Sequence, residues 1–175
     1  MKLLKGFNID KYLNKKPPSD NSFTTMQEIK ELAKTPLNKK FAKDKDDIVN
    51  VFEKIANEGE FAQNIINETS PVILKIKKHH NRPRPKEIAK KLKIRMEDYE
   101  LKSMDTPSYP SGHSAQGVLI GMLLSDKHPN KKNKLMQAAK DISQSRNIAK
   151  AHYKSDSKFG EKIGRDMYKH IKDKI

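Results

Sequence analysis

Apolar residues along this chain recur at helical spacing, and no stretch of useful length alternates apolar with polar as a half-buried strand does. Ile48, Val51, Phe52 and Ile55 stand at i, i+3, i+4 and i+7, on one stripe of a helix that closes near Gly59. Phe159, Ile163, Met167 and Ile171 repeat every four residues and predict an amphipathic helix over 158–172. Between these two, 111–124 is mostly apolar, with Ala115, Gly117 and Gly121 allowing close approach, and predicts a buried helix. Another helical pattern covers 134–153.

Punctuating residues divide the rest. Thr24 and Gln27 form a capping box for a helix over 26–33, which Pro36 ends. A short helix is predicted over 61–68, and Ser70-Pro71 then caps and opens a separate helix carrying Val72, Ile73, Leu74 and Ile76. Pro83 and Pro85 stop that helix, and a short one follows over 86–93. Residues 95–110 are polar and unperiodic and predict a long loop. Residues 1–22, with Pro17-Pro18 and a polar run after them, read as an N-terminal arm or loop ahead of one helical domain over 23–175. The predicted fold class is all-α, a single-domain helical bundle.

Composition narrows the chemistry more than the fold. At 175 residues the chain is long enough for one real core. It has no cysteine, which excludes disulfides, thiolate metal sites and cysteine nucleophiles. The longest apolar run, 117–124, is far below the roughly 18 residues of a membrane span. No apolar stretch follows the basic start of the N-terminus, so no signal peptide is read and a soluble, cytoplasmic protein is expected, or a periplasmic or secreted one if the N-terminus is truncated. The net charge of +15 raises the question of nucleic acid. The charge comes from lysines spread along the whole chain and interleaved with acidic residues, which argues against that partner. Against 37 basic residues only five are arginine: Arg82, Arg84, Arg95, Arg146 and Arg165. In so lysine-rich a chain an arginine points to a need for its planar fork of donors.

Three short strings carry the candidate chemistry. His152 and Asp156 are four apart, so on a helix the carboxylate could fix one imidazole nitrogen and leave the other as a nucleophile. Arg146 precedes His152 by six residues, about 240° around an ideal helix, so both serve one site only if the helix ends or bends between them. In Pro110-Ser111-Gly112-His113, Ser111 is a helix N-cap, and Gly112 lets backbone approach an anion at the helix start. His113 then stands in the first turn as a general acid. Lys77 and Arg84 are two helical turns apart and could grip phosphate oxygens, although Lys75 and Arg82 repeat the same spacing before a proline. His79 and His80 read as surface residues, and no zinc ligand spacing is met by His79, His80, His113 or His152.

Taken together the strings read Lys-x6-Arg-Pro, Pro-Ser-Gly-His and Ser-Arg-x5-His-x3-Asp. This resembles the type 2 phosphatidic acid phosphatase superfamily, over about 77–156, and within it the soluble bacterial class A non-specific acid phosphatases. The resemblance favours the Lys77/Arg84 register, because in that group an arginine often stands where Arg82 does. It implies a metal-independent phosphomonoester hydrolase with no cofactor and a small phosphorylated substrate. His152 is then the nucleophile that forms a phosphohistidine, Asp156 orients it, and His113 protonates the leaving group. Lys77, Arg84, Ser111, Gly112 and Arg146 bind the phosphoryl oxygens. Lys86 departs from the large residue that often follows Arg-Pro. A homo-oligomer is compatible with the same resemblance. The competing readings are a vanadium-dependent haloperoxidase, in which vanadate would take the phosphate position, a membrane lipid phosphatase, and a basic nucleic-acid-binding module with an idle site.

Overall fold

A computed structural model describes residues 2–97 and 99–175; Met1 of the N-terminal segment and Asp98 of the 95–110 loop lie outside the described residues. All longer regular structure among the described residues is helical, as the spacing predicts. The helices are α1 (Asp10–Leu13), α2 (Phe23–Lys34), α3 (Lys39–Asp46), α4 (Ile48–Ala56), α5 (Gly59–His80), α6 (Pro85–Lys91), α7 (Gly112–Lys127), α8 (Lys132–Ile148) and α9 (Lys154–Ile171). None of them is long and apolar enough to cross a membrane.

The apolar 111–124 pattern becomes α7, the central helix, which packs most extensively on α8 and α9 and also on α4 and α5. Leu119, Ile120 and Leu124 of α7 are buried to completion, as expected of a helix covered on all sides. The four-residue repeat of α9 is its core stripe: Phe159, Ile163, Met167 and Ile171 are all buried. The α7–α9 crossing is close because α9 carries Gly160 and Gly164 on this face. A Cβ at either would lie 2.3 Å from a backbone oxygen of α7, that of Ser111 or that of Ala115.

Several boundaries differ from the sequence reading, each for a local reason. α2 starts three residues before 26, because Ser22 rather than Thr24 is the N-cap and accepts from the Thr25 amide. The two helices expected on either side of Pro71 are one, α5. Pro71 lies on the exposed side, while Ala62, Ile65, Val72, Ile73 and Ile76 make one buried face running past it. That tertiary packing outweighs the helix-breaking tendency of a proline. α3 was not anticipated: its sequence is almost wholly polar, and only Ala42 is buried, with the Asn38 side chain capping its start. α8 stops at Ile148 instead of running through 153, and α9 begins at Lys154. Residues 2–22 lie against the bundle, with Leu4 and Tyr12 in the main core and the Tyr12 hydroxyl donating to Asp166 at 2.7 Å.

Six helix ends meet at one end of the bundle. They are the C-termini of α3, α5 and α8 and the N-termini of α6, α7 and α9. Asp46, Lys77, Arg146, Arg84, the Ser111–His113 turn and Asp156 sit on them in that order.

Candidate active site

The break between α8 and α9 solves the problem posed by the Arg146–His152 spacing. Lys150 takes a left-handed conformation (φ 60°), and the amides of Ala151 and His152 turn back to the Arg146 carbonyl at 2.9 and 3.4 Å. The turn is pinned from outside by the buried Lys150 ammonium, which donates to the carbonyls of Leu32 (2.7 Å) and Thr35 at the end of α2. His152 therefore precedes α9 instead of sharing its face with Asp156, yet the two side chains still meet.

Both ring nitrogens of His152 are engaged. Nδ1 lies 3.1 Å from Asp156 Oδ2, and Nε2 lies 3.0 Å from Arg84 Nη1. A carboxylate accepts and a guanidinium donates, so this network assigns the neutral tautomer: Nδ1–H donates to Asp156, and the Nε2 lone pair faces Arg84. Burial first, and then the charges of Arg84, Lys77 and Arg146, hold His152 well below the usual imidazole value. Asp156 is fully buried and accepts from Arg82 Nη1 (2.8 Å), the Tyr153 amide (3.1 Å) and the Ser108 hydroxyl as well as from His152. Burial raises its carboxyl to about 6, against the pull of Arg82 and Ser108. The Arg82 guanidinium also stacks 3.6 Å over the Tyr153 ring.

Three cations converge on the same end. Lys77 is buried and donates to the Pro107 carbonyl at 2.7 Å; burial, followed by Arg84, lowers its ammonium to about 7. Arg84 also donates through Nε to Thr106 O (2.9 Å) and through Nη1 to Ala151 O (2.8 Å). Arg146 is fully buried, and its Nε has no hydrogen-bond partner among the described residues. A buried, unpartnered guanidinium nitrogen is costly unless a ligand completes it. Ser111 caps α7 as the sequence predicts, its hydroxyl accepting from the Ser114 amide at 3.2 Å. A cavity of about 480 Å³ lies beside Lys77, lined also by Gly112, His113 and His152 on its polar side and by Ile73 and Leu74 on its apolar side.

The structure thus brings Lys77, Arg84, Ser111, Gly112, His113, Arg146, His152 and Asp156 to one place. It also separates the two registers: Arg84 reaches His152, whereas Lys75 is exposed and Arg82 turns to Asp156. His79 is exposed, and His80 is bonded to the Tyr12 carbonyl at 2.8 Å. No cluster of three or more His, Cys, Asp or Glu side chains suited to a metal ion occurs among the described residues.

Sequence reasoning missed three members of this network. Arg82 was noted only as a marker of register, and its scarcity as an arginine was the available signal. Ser108 belongs to the string Ser108-Tyr109-Pro110-Ser111-Gly112-His113, which resembles the form this motif takes in the class A acid phosphatases and was its signal. Asp46, the last residue of α3, reaches Arg146 Nη1 at 2.8 Å and Ser103 Oγ at 3.0 Å through Oδ1. Its carbonyl and Oδ1 lie 2.8 and 3.2 Å from His113 Nε2. In a stretch crowded with Lys and Asp nothing set Asp46 apart.

Comparison with known proteins points the same way over part of the chain. A non-specific acid phosphatase of Salmonella typhimurium is 36% identical over 88 residues, which is 50% of this chain and 35% of that protein. A non-specific acid phosphatase of Salmonella typhi is 35% identical over 88 residues, with the same coverage. The similarity is to acid phosphatases. The matched segment spans about a third of the length of these relatives. No family model matches the chain.

Proposed function

We propose that the chain hydrolyses phosphomonoesters through a phosphohistidine on His152, without a metal ion. The observation that carries this reading is the state of the His152 ring. Nδ1 lies 3.1 Å from the Asp156 carboxylate and Nε2 3.0 Å from Arg84, and burial with the charges of Arg84, Lys77 and Arg146 favours the neutral ring. That is the protonation state and orientation a nucleophilic imidazole needs.

On this reading the phosphoryl oxygens of the substrate take the donors of Arg84, Arg146 and Lys77 together with amides at the start of α7, and Arg84 Nη1 leaves Nε2 for them. Nε2 then attacks phosphorus. The N–P bond forms as the P–O bond to the leaving group breaks, and His113 gives its proton to the departing oxygen. Asp156 stabilises the charge that develops on His152, as a carboxylate does in other orienting pairs. Water next attacks phosphorus, His113 takes its proton, and phosphate leaves with His152 restored. Residues 23–175 form the phosphatase domain, and residues 1–22 brace it. The two Salmonella relatives, both non-specific acid phosphatases, support the same class of reaction.

The test is turnover of p-nitrophenyl phosphate across pH in the presence of EDTA. His152→Ala is expected to lose at least about 10⁴-fold in kcat, with His113→Ala impaired as well. Acid quenching of the wild type should trap phosphate on the protein, and His152→Ala should trap none. Full activity in His152→Ala, or complete loss on chelation, sinks the reading.

A further inference from the structure

His113 has its own aspartate, on an element that no motif marks. Asp46 ends α3, and Asp47 at once caps α4 through its side chain, accepting from the Asn50 amide at 3.0 Å. The chain turns so sharply here that the Asp46 carbonyl points out of α3 at His113 Nε2, 2.8 Å away. A carbonyl at a helix C-terminus is an unsatisfied acceptor at the negative end of the helix dipole. The Asp46 carboxylate adds a second acceptor 3.2 Å from the same nitrogen. Both acceptors are fixed, because Oδ1 is also gripped by Arg146 Nη1 and Ser103 Oγ.

We propose that Asp46 is the positioning residue for the proton donor: it anchors His113 through Nε2–H, leaves Nδ1 as the nitrogen that serves the leaving group, and keeps the ring able to carry the proton. This rests on the phosphatase reading of the site. Two acceptors on Nε2 require a hydrogen there in every protonation state, so the mobile proton resides on Nδ1. The transfer is a single proton from Nδ1 to the leaving oxygen, and the neutral ring left behind still has Nε2–H bound to Asp46.

The other charges around His113 make such support necessary. Arg146 faces it from α8, while Lys77 from α5 and His152 from the turn before α9 share the cavity with it. Burial lowers the His113 value most, Arg146 lowers it further, and only the Asp46 hydrogen bonds and charge act in the opposite direction. Removing the carboxylate therefore leaves a ring that loses its proton at lower pH. Asp46 itself is desolvated, which acts to raise its carboxyl, but His113 and Arg146 outweigh this and hold it below the usual carboxylate value.

The experiment compares wild type and Asp46→Asn on two substrates and by NMR. p-Nitrophenyl phosphate has a good leaving group and needs little protonation, whereas an alkyl phosphate such as glycerol 2-phosphate depends on the acid. The expected result is a loss in kcat of about 10²-fold on the alkyl phosphate and below about 5-fold on p-nitrophenyl phosphate, with the alkaline limb of the kcat profile moved to lower pH. Equal losses on both substrates, or an unmoved limb, overturn the proposal and reassign Asp46 to phosphate binding through Arg146. The ¹⁵N spectrum of His113 needs no activity. It should show the Nε2–H tautomer for the neutral ring and a titration displaced to lower pH in Asp46→Asn. An Nδ1–H tautomer, or an unchanged titration, overturns the anchoring. A wild type inactive on both substrates with the predicted spectrum would sink the phosphatase reading and leave the anchoring standing.

Discussion

Each histidine of the site is held by an aspartate, and the two pairs are built differently. Asp156 lies within the bundle and receives hydrogen bonds from Arg82, Ser108, the Tyr153 amide and His152. Asp46 lies at the rim, its side chain 29% exposed, on a polar helix that buries little besides Ala42. The first pair is locked by packing, and burial with the charges of Arg84, Lys77 and Arg146 lowers its imidazole below the usual value. The second is attached through one short helix, and its carboxylate acts to keep its imidazole protonated. Opposite demands on one residue type are met by what surrounds the carboxylate: dense donors and cations around His152, and a helix C-terminus behind His113.

The largest test of this contrast is Asp156→Asn. An amide in that position can present the wrong group to Nδ1 and favour the wrong tautomer, so kcat on p-nitrophenyl phosphate is expected to fall by about 10⁴-fold. Asp46→Asn should spare that substrate. Losses of similar size in the two variants would erase the distinction between orienting a nucleophile and supporting an acid.

The packing behind each histidine sharpens it further. Gly160 of α9 lies one turn beyond Asp156, and a methyl group there would stand 2.3 Å from the Ser111 carbonyl. Gly160→Ala is expected to cost about 1–3 kcal/mol through overpacking. Gly112, beside His113, has room: its added Cβ would lie 3.6 Å from Ile73, an ordinary contact. Thermal melts should separate the two variants, Gly160→Ala melting well below wild type and Gly112→Ala close to it. Equal melting temperatures would remove the claim that one side is rigid and the other loose.

The smallest effect is a pH dependence. Lys77 has its ammonium lowered to about 7 from the usual 10.5, chiefly by burial. Between these two values the unfolded chain binds the extra proton and the folded one does not, so this group makes stability rise with pH across that window. Anion binding behaves oppositely, because it needs the charged ammonium. Sulfate, which does not titrate in this range, should bind more weakly as pH rises through 7, by at most about tenfold per unit for one proton. Calorimetric titration of sulfate checks this, and Lys77→Met should flatten the slope.

The sequence exposed some parts of this arrangement and hid others. The helical class, the buried α7 and the stripe of α9 were legible because apolar spacing is a local signal. That eight residues of three spaced strings would lie together was legible because the strings could be read as one constellation. The need for a chain break between Arg146 and His152 followed from helix geometry alone, and the structure supplies it at Lys150. Pro71 misled because a breaker on an exposed face yields to a continuous buried one. Asp46 and α3 were illegible for a different reason: the role of Asp46 comes from a carbonyl and a carboxylate that only tertiary placement brings to His113.

That placement also bears on the order in which the structure can form. Arg146 and Asp46 are 100 residues apart in sequence, Arg82 and Asp156 are 74 apart, and Arg84 and His152 are 68 apart. By contrast α7, α8 and α9 follow one another and can pair as neighbouring hairpins, with little loop entropy to overcome. The three-helix centre can therefore assemble first, and His152 meets Arg84 only when the α5–α6 segment has docked on it. A chain with only those three helices paired would carry Arg146 and His152 without Asp46 and Arg84 beside them.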